Sequence, residues 1–243
     1  MAWIPRRTEV RRKHRSAEVG NCDERLLTIL DPDSVTAENY RTLRTNLLHA
    51  AVGNPPKVIV ITSFAGGEGK SMTCANLAVA LAQAGKYTMA LDCDFRKPEL
   101  HRYFGRRNLR GTGDLLAGEL SLQEVAEEPI EGLKLVSVGP IPPNPAELLD
   151  SERFAKFLTD MREVFDYVLI DTSPLAMFSD PAILAAQSDG VLLVVDAQNT
   201  RKVSVGRSMR SLQIVGANVL GTVMNNVEAS GSEAYHYSAG YRR

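Results

Sequence analysis

Short apolar runs alternate with helical stretches along most of this chain. The run KVIVITS is continuously apolar, which is typical of a strand buried in a parallel sheet. We predict further strands at YTMALDCD, LKLVSVG, DYVLID, VLLVVDA and NVLGTVMNN. Between the first two runs, SMTCANLAVALAQAG has the pattern of a helix that ends at Gly85.

The remaining stretches give the other predicted helices. At 35–51, Tyr40, Leu43 and Leu47 fall on one stripe at helical spacing, and AVGNPP ends that helix. Further helices are predicted at 99–104, 113–118, 121–127, 151–164, 179–187 and 200–214. Strands that alternate with helices indicate βαβ units. We therefore expect a three-layer α/β fold with a mostly parallel central sheet and helices on both faces.

The pattern divides the chain into three parts. Residues 1–34 are predicted to be a flexible basic N-terminal segment with one apolar patch, LLTIL, and residues 35–226 form the predicted domain. Residues 227–243 lack apolar periodicity and are predicted to be a flexible tail. The excess of arginine near the start leaves two alternatives, a solvated terminus or an arm that contacts an anionic membrane or an acidic partner.

Composition excludes several classes of function. The chain has 243 residues, of which 44% are hydrophobic. Its formal net charge is −1, so its overall electrostatic field does not favour binding of nucleic acid. Its cysteines, Cys22, Cys74 and Cys93, are too scattered for a disulfide framework or a metal cluster, which fits a reducing cytoplasm. No apolar run is long enough to span a bilayer, so we expect a partner to bring the protein to any membrane.

The stretch ITSFAGGEGKSM has the composition of a phosphate-binding loop between a strand and a helix. Gly66, Gly67 and Gly69 allow backbone N–H groups to converge on an anion, and the positive end of the next helix adds to the attraction. Lys70 can reach the β- and γ-phosphates, and the Ser71 hydroxyl is placed to bind Mg²⁺. The predicted nucleotide contacts are Gly66, Gly67, Glu68, Gly69, Lys70, Ser71 and Met72.

One position departs from the strict GxxxxGK[ST] pattern. Phe64 occupies the place of its first glycine. The alternative to a phosphate loop is a glycine-rich turn with a surface lysine, but the flanking strand and helix disfavour it.

Carboxylates follow two other predicted strands. Asp92 and Asp94 end YTMALDCD, and Asp171 ends DYVLID. An aspartate after a strand is often only a helix cap, but these would emerge at the same sheet edge as the phosphate loop. Because Mg²⁺ needs only one or two protein ligands besides phosphate, one carboxylate is left for another task.

With these motifs in place, the chain resembles a known family. GGEGKS, LDCDFRKP and VLIDTSP resemble the Walker A, A′ and B motifs of bacterial tyrosine kinases, the autokinases of capsule and exopolysaccharide synthesis. ENYRTLRTNL, GPIPPNPAELLDSERF and VLGTVMNNVE also resemble family segments, so the likeness covers roughly residues 35–228. It implies a P-loop NTPase-like fold and an ATP- and Mg²⁺-dependent protein tyrosine kinase that regulates polysaccharide synthesis and export.

The resemblance also implies roles for single residues. Lys70, Asp92, Asp94 and Asp171 would be catalytic, with Ser71, Asp92 and Asp171 at the metal. A free tyrosine hydroxyl has a pKa of about 10, so a carboxylate must accept its proton as the new bond forms. We assign that role to Asp94, with metal ligation as its alternative. For the neighbouring Arg96 and Lys97, contacts to nucleotide or acceptor and a solvated turn remain open.

The expected acceptors lie in the tail, at Tyr235, Tyr237 and Tyr241. From Asn226 to Tyr235 the chain spans at most roughly 30 Å, which allows either its own site or a neighbour's.

Self-association is a second property that the resemblance implies. Glu38, Arg41 and Arg44 lie on one side of the helix at 35–51, and in the family this spacing mediates a ring in which tails are phosphorylated in trans. The alternative is a solvated face with one weak ion pair.

A nucleotide-switched ATPase of the partition or division type is the alternative function. Those proteins carry KGGxGK[ST], and here Ala65 replaces the signature lysine, which favours the kinase. Family kinases often need a membrane-embedded polysaccharide co-polymerase, which we expect as a separate activator. It would recruit this cytoplasmic protein to the inner face of the membrane.

Overall fold

The fold is built on one seven-stranded sheet with the strand order β3-β4-β2-β5-β1-β6-β7. The computed structural model describes residues 22–49 and 55–228. The strands are β1 Val58–Ser63, β2 Thr88–Asp92, β3 Glu127–Ile130, β4 Leu133–Val136, β5 Tyr167–Asp171, β6 Gly190–Asp196 and β7 Val219–Asn225. All neighbouring strands are parallel except β3, which is antiparallel to β4. The predicted α/β fold with a mostly parallel sheet is confirmed.

Helices cover both faces of this sheet. They are α1 Leu27–Leu30, α2 Val35–His49, α3 Lys70–Gln83, α4 Leu100–Tyr103, α5 Thr112–Ala117, α6 Leu122–Val125, α7 Pro145–Leu149, α8 Glu152–Val164, α9 Asp180–Gln187 and α10 Lys202–Ile214. Alternate residues of β1 point to opposite faces: Ile59 and Ile61 pack with α3, whereas Val58 and Val60 belong to the core that contains α8. The arrangement is the predicted three-layer one.

The end of α3 follows from its sequence. Gly85 has a φ of 75°, a left-handed conformation that glycine adopts without steric cost. Its N–H donates to the Ala82 carbonyl, and the Lys86 N–H donates to the Leu81 carbonyl. These bonds satisfy carbonyls at the end of the helix and direct the chain into β2.

The sequence prediction was wrong around residues 121–130. A helix was expected over 121–127, but α6 ends at Val125 and is followed by β3. Pro129 makes EEPI look unlike a strand, but a proline is tolerated in an edge strand. Helix α7 was not predicted; it starts at Pro145, and a proline is tolerated in the first turn of a helix.

Residues 22–34 pack against the domain, although the sequence placed them in a separate flexible segment. Leu26 is fully buried, and both the N–H and the hydroxyl of Thr28 donate to the Asn76 side chain on α3. The Asn76 amide donates in turn to the Arg25 carbonyl. The rest of that segment, and the tail from residue 229, lie outside the described residues. Among the described helices, none has the length and apolarity to cross a membrane.

Shortening Leu26 should therefore destabilise the whole domain. We expect Leu26→Ala to lower the free energy of unfolding by about 2–5 kcal/mol, because it leaves a cavity beside α3. The control is Leu30→Ala on the same helix turn, where the side chain is 38% exposed and the loss should stay below about 1 kcal/mol. Urea denaturation measures both, and equal losses would contradict the packing described here.

Candidate active site

The phosphate loop, residues 64–69, connects β1 to α3. Gly67 and Gly69 have φ values of 86° and 94°, in the left-handed region that favours glycine. A Cβ atom at Gly69 would also lie 2.2 Å from the Asn225 amide nitrogen, whereas one at Gly66 or Gly67 would meet nothing within 4 Å. The outer side of the loop is thus open, and its inner side rests on the end of β7.

The helix after this loop presents an uncapped positive end. Helix α3 starts at Lys70 with Gly69 as its N-cap, and it has neither a side-chain cap nor an acidic residue in its first turn. Free N–H groups and the helix dipole favour an anion at that position. The local structure fits a bound phosphate.

The acidic residues predicted from sequence lie together beside the loop. Asp92 and Asp171 are partners in the register of β2 and β5, and both are fully buried. Asp94 is 1% exposed, and one of its carboxylate oxygens lies 2.8 Å from the Lys70 ammonium. That ammonium also lies 3.4 Å from the Ser71 hydroxyl. The structure therefore brings Lys70, Ser71 and these carboxylates into one buried cluster.

Two of the carboxylates are held by backbone amides. Asp92 accepts hydrogen bonds from the N–H groups of Asp94 and Leu100, one on each oxygen. The oxygen of Asp94 that does not contact Lys70 accepts from the N–H groups of Arg96 and Lys97. The turn after β2 is thus shaped around its own aspartates, which fixes both side chains.

Asp171 differs from the other two, because within the described residues neither of its oxygens accepts a hydrogen bond of ordinary geometry, although the Ser71 hydroxyl is near enough to lower its pKa. Burial raises the pKa of Asp171 to about 6, although Lys70 and the nearby Ser71 hydroxyl oppose this change. Burial and the charge of Asp171 also raise the pKa of Asp92 well above its ordinary value. Unpartnered oxygens and excess acid in a dry site fit a cation.

Lys70 stays charged in this cluster. Burial alone would lower its pKa, but attraction to Asp171 and Asp94 outweighs burial and the pKa is raised. Among the described residues, no three His, Cys, Asp or Glu side chains are arranged as a complete metal site.

Comparison with known proteins identifies the family. Residues 59–240 match the family described as the CobQ/CobB/MinD/ParA nucleotide binding domain. The chain is also 35% identical over 227 residues to tyrosine-protein kinase YwqD of Bacillus subtilis (strain 168), covering 93% of this chain and 94% of that protein. This chain belongs to the bacterial tyrosine-protein kinases.

Solved structures agree with this assignment. The chimerical protein CapA2B2 matches with a TM-score of 0.81 and 36% identity, over 85% of this chain and 92% of that one. The kinase domain of the Escherichia coli tyrosine kinase ETK matches with a TM-score of 0.80 and 30% identity, over 84% and 82% of the two chains. The predicted family, P-loop fold and kinase class are confirmed, and the kinase has a nucleotide-binding domain.

Arg96 makes contacts that the sequence did not predict. Its guanidinium donates to the carboxylate of Asp180, at 3.2 Å, and lies 4.7 Å from the centre of the Phe178 ring. Asp180 is fully buried at the start of α9, and the sequence analysis did not single it out. Arg96 thus connects the Asp94 turn to the segment after β5. Lys97, in contrast, is exposed and pairs with Glu99.

The charged residues predicted to mediate self-association do not share one environment. Glu38 and Arg41 form an exposed ion pair at 2.8 Å on α2. Arg44 is half-buried, and its guanidinium donates to the Ala80 carbonyl of α3. Their role in an oligomer stays a prediction. The tyrosines of the tail, Tyr235, Tyr237 and Tyr241, lie outside the described residues.

Removing Arg96 should destabilise the kinase, because the buried Asp180 charge would lose its ion pair. We expect Arg96→Ala to lower the free energy of unfolding by about 2–3 kcal/mol, since the pair is half-exposed on the arginine side. Adding Asp180→Asn should recover much of that loss. Lys97→Ala, at the exposed neighbouring position, is the control. A double-mutant cycle that finds no coupling between Arg96 and Asp180 would contradict the role of this ion pair.

Proposed function

We propose that this tyrosine kinase uses ATP and Mg²⁺ to phosphorylate the tyrosines of its own tail, at Tyr235, Tyr237 and Tyr241. The observation that carries the proposal is the buried cluster of Lys70 with the strand-end carboxylates, directly beside the phosphate loop. Phosphoryl transfer needs alignment and charge neutralisation more than covalent help. A loop of amides, a lysine and carboxylates that fit a metal supply both.

The nucleotide would bind along residues 66–72, with its phosphates on the loop amides and on the start of α3. The Ser71 hydroxyl and the Asp171 carboxylate would hold Mg²⁺, because the Asp171 oxygens accept no hydrogen bond of ordinary geometry from the described residues. Asp92 would contact its hydration shell, because both Asp92 oxygens already accept backbone N–H groups. When bound, the ion neutralises charge on the phosphates.

Nucleotide binding would change the partner of Lys70. Its ammonium pairs with Asp94 in the structure, but a triphosphate offers it a stronger anion. Transfer of Lys70 to the β- and γ-phosphates would free one oxygen of Asp94. That oxygen can then accept the phenolic proton of the acceptor tyrosine as the tyrosine oxygen bonds to the γ-phosphorus and the bond from that phosphorus to ADP breaks, with ADP as the leaving group. The same change in the partner of Lys70 would therefore neutralise charge on the phosphates and free the Asp94 carboxylate to act as the base.

The wider function follows from the family resemblance. We propose that the kinase regulates the synthesis and export of capsule or exopolysaccharide, and that it assembles with copies of itself. A membrane-embedded polysaccharide co-polymerase would activate this cytoplasmic protein and recruit it to the inner face of the membrane. Arg41 and Glu38, which are accessible on α2, would contribute to the contact between copies.

Replacement of Lys70 should abolish the kinase reaction. We expect Lys70→Ala to lower phosphotyrosine formation with Mg²⁺ and ATP at least about 100-fold, the scale of losing a group that stabilises transition-state charge. Lys97→Ala, which removes an exposed lysine from the next loop, should change it less than about threefold. Mass spectrometry of the tail gives the readout, in the presence of the cytoplasmic segment of the activator. Normal phosphorylation of Lys70→Ala would refute the proposal.

Transfer between copies has its own test. An active chain with Tyr235, Tyr237 and Tyr241 changed to phenylalanine is mixed with a Lys70→Ala chain that keeps its tyrosines. Trans phosphorylation predicts phosphotyrosine on the Lys70→Ala chain, at a rate that rises with the concentration of the active chain. If only chains that carry both Lys70 and the tyrosines become labelled, the reaction occurs within one chain.

A further inference from the structure

Glu68 presents a physical difficulty. It lies in the middle of a loop that binds phosphate, where a negative charge opposes the ligand. The side chain is nevertheless 5% exposed, so it is not displayed to solvent at the rim of the loop. Its contacts explain why a carboxylate is accommodated there.

Both carboxylate oxygens of Glu68 accept hydrogen bonds from the protein. One accepts the N–H of Ala65, at the other end of the same turn, at a distance of 3.1 Å. The other accepts the hydroxyl of Thr200, in the segment between β6 and α10. The backbone carbonyl of Glu68 accepts from the Asn225 amide at 3.1 Å. One residue thus closes the turn and connects it to the ends of β6 and β7.

The segment that contains Thr200 is itself well fixed. The Thr200 N–H donates to the Asp196 carbonyl, and the Thr200 hydroxyl accepts from the Asp196 N–H. The Asp196 carboxylate accepts from the N–H groups of Gln198 and Asn199 and from the Asn226 side chain. These hydrogen bonds therefore fix the position of Thr200 beside the end of β6.

At Gly66 and Gly67, the phosphate loop has few other contacts that would fix its conformation. Side-chain packing cannot hold Gly66 and Gly67, and a Cβ atom at either would touch nothing within 4 Å. Glycines have the largest backbone freedom to lose when a loop is ordered. Hydrogen bonds from Glu68 supply the order that packing does not.

We propose that Glu68 is a positioning residue, which holds the phosphate loop in its binding shape by connecting Ala65 to Thr200. It acts through geometry and not through its charge, since both carboxylate oxygens are engaged by Ala65 and Thr200. Glutamine can make the same contacts, because its oxygen accepts from Ala65 and its amide donates to the Thr200 hydroxyl. Alanine can make neither. The effect on turnover rests on the proposed function, whereas the effect on nucleotide binding does not.

The test compares Glu68→Gln, Glu68→Ala, Thr200→Val and Thr200→Ser in the full chain, with Glu163→Ala at an exposed position of α8 as control. Isothermal titration with Mg²⁺·ADP gives the affinity, thermal melting reports folding, and phosphotyrosine formation gives KM for ATP and kcat. ADP has no γ-phosphate to transfer to a tyrosine, so a failed kinase proposal would leave the binding measurement intact.

We expect Glu68→Ala to weaken ADP binding about tenfold, which corresponds to roughly 1.4 kcal/mol. KM for ATP should rise in parallel, with kcat changed less. Glu68→Gln and Thr200→Ser should stay within about threefold of the native affinity, and Thr200→Val should fall between. Native affinity in Glu68→Ala would overturn the proposal. So would a loss in Glu68→Gln as large as in Glu68→Ala, because charge and not geometry would then be responsible.

Discussion

The site depends on one buried ammonium among three buried carboxylates. Lys70 contacts Asp94 directly, and its charge lowers the cost of ionising Asp171, whose oxygens accept no hydrogen bond of ordinary geometry from the part of the chain that the structure describes. The arrangement has more acid than base in a place that water does not reach, and such a cluster is stable only with protonation or a further cation. The Mg²⁺ that we propose to bind together with a triphosphate would balance that charge.

The parallel arrangement of the strands brings the residues of this cluster together. β1, β2 and β5 are parallel, so the phosphate loop, Asp92 and Asp171 emerge at the same edge. The turns after these strands then set the details, since backbone N–H groups hold Asp92 and Asp94 but leave Asp171 unpaired. The difference between a held carboxylate and an unpaired one separates the proposed roles of these aspartates.

The sequence predicted what local patterns encode. Periodicity and short motifs were enough to predict the buried strands, the main helices, the phosphate loop and the aspartates at the strand ends. They did not predict the order of the strands in the sheet. The sequence did not predict contacts between segments that are far apart in the chain. The Arg96–Asp180 pair joins residues that are far apart in the chain, and the Glu68–Thr200 contact crosses from the loop to the end of β6. The burial of Leu26 was missed because a short apolar patch without periodicity gives no sign of its partner.

The most direct test of this account measures how much Mg²⁺ strengthens ADP binding in the native protein and in Asp171→Asn. If the unpaired carboxylate provides the place for the cation, Mg²⁺ should strengthen ADP binding in the native chain, and most of that gain should disappear in the variant. ADP affinity without Mg²⁺ should be no weaker in the variant, because a negative charge beside the phosphates has been removed. An equal gain from Mg²⁺ in both proteins would contradict the central claim.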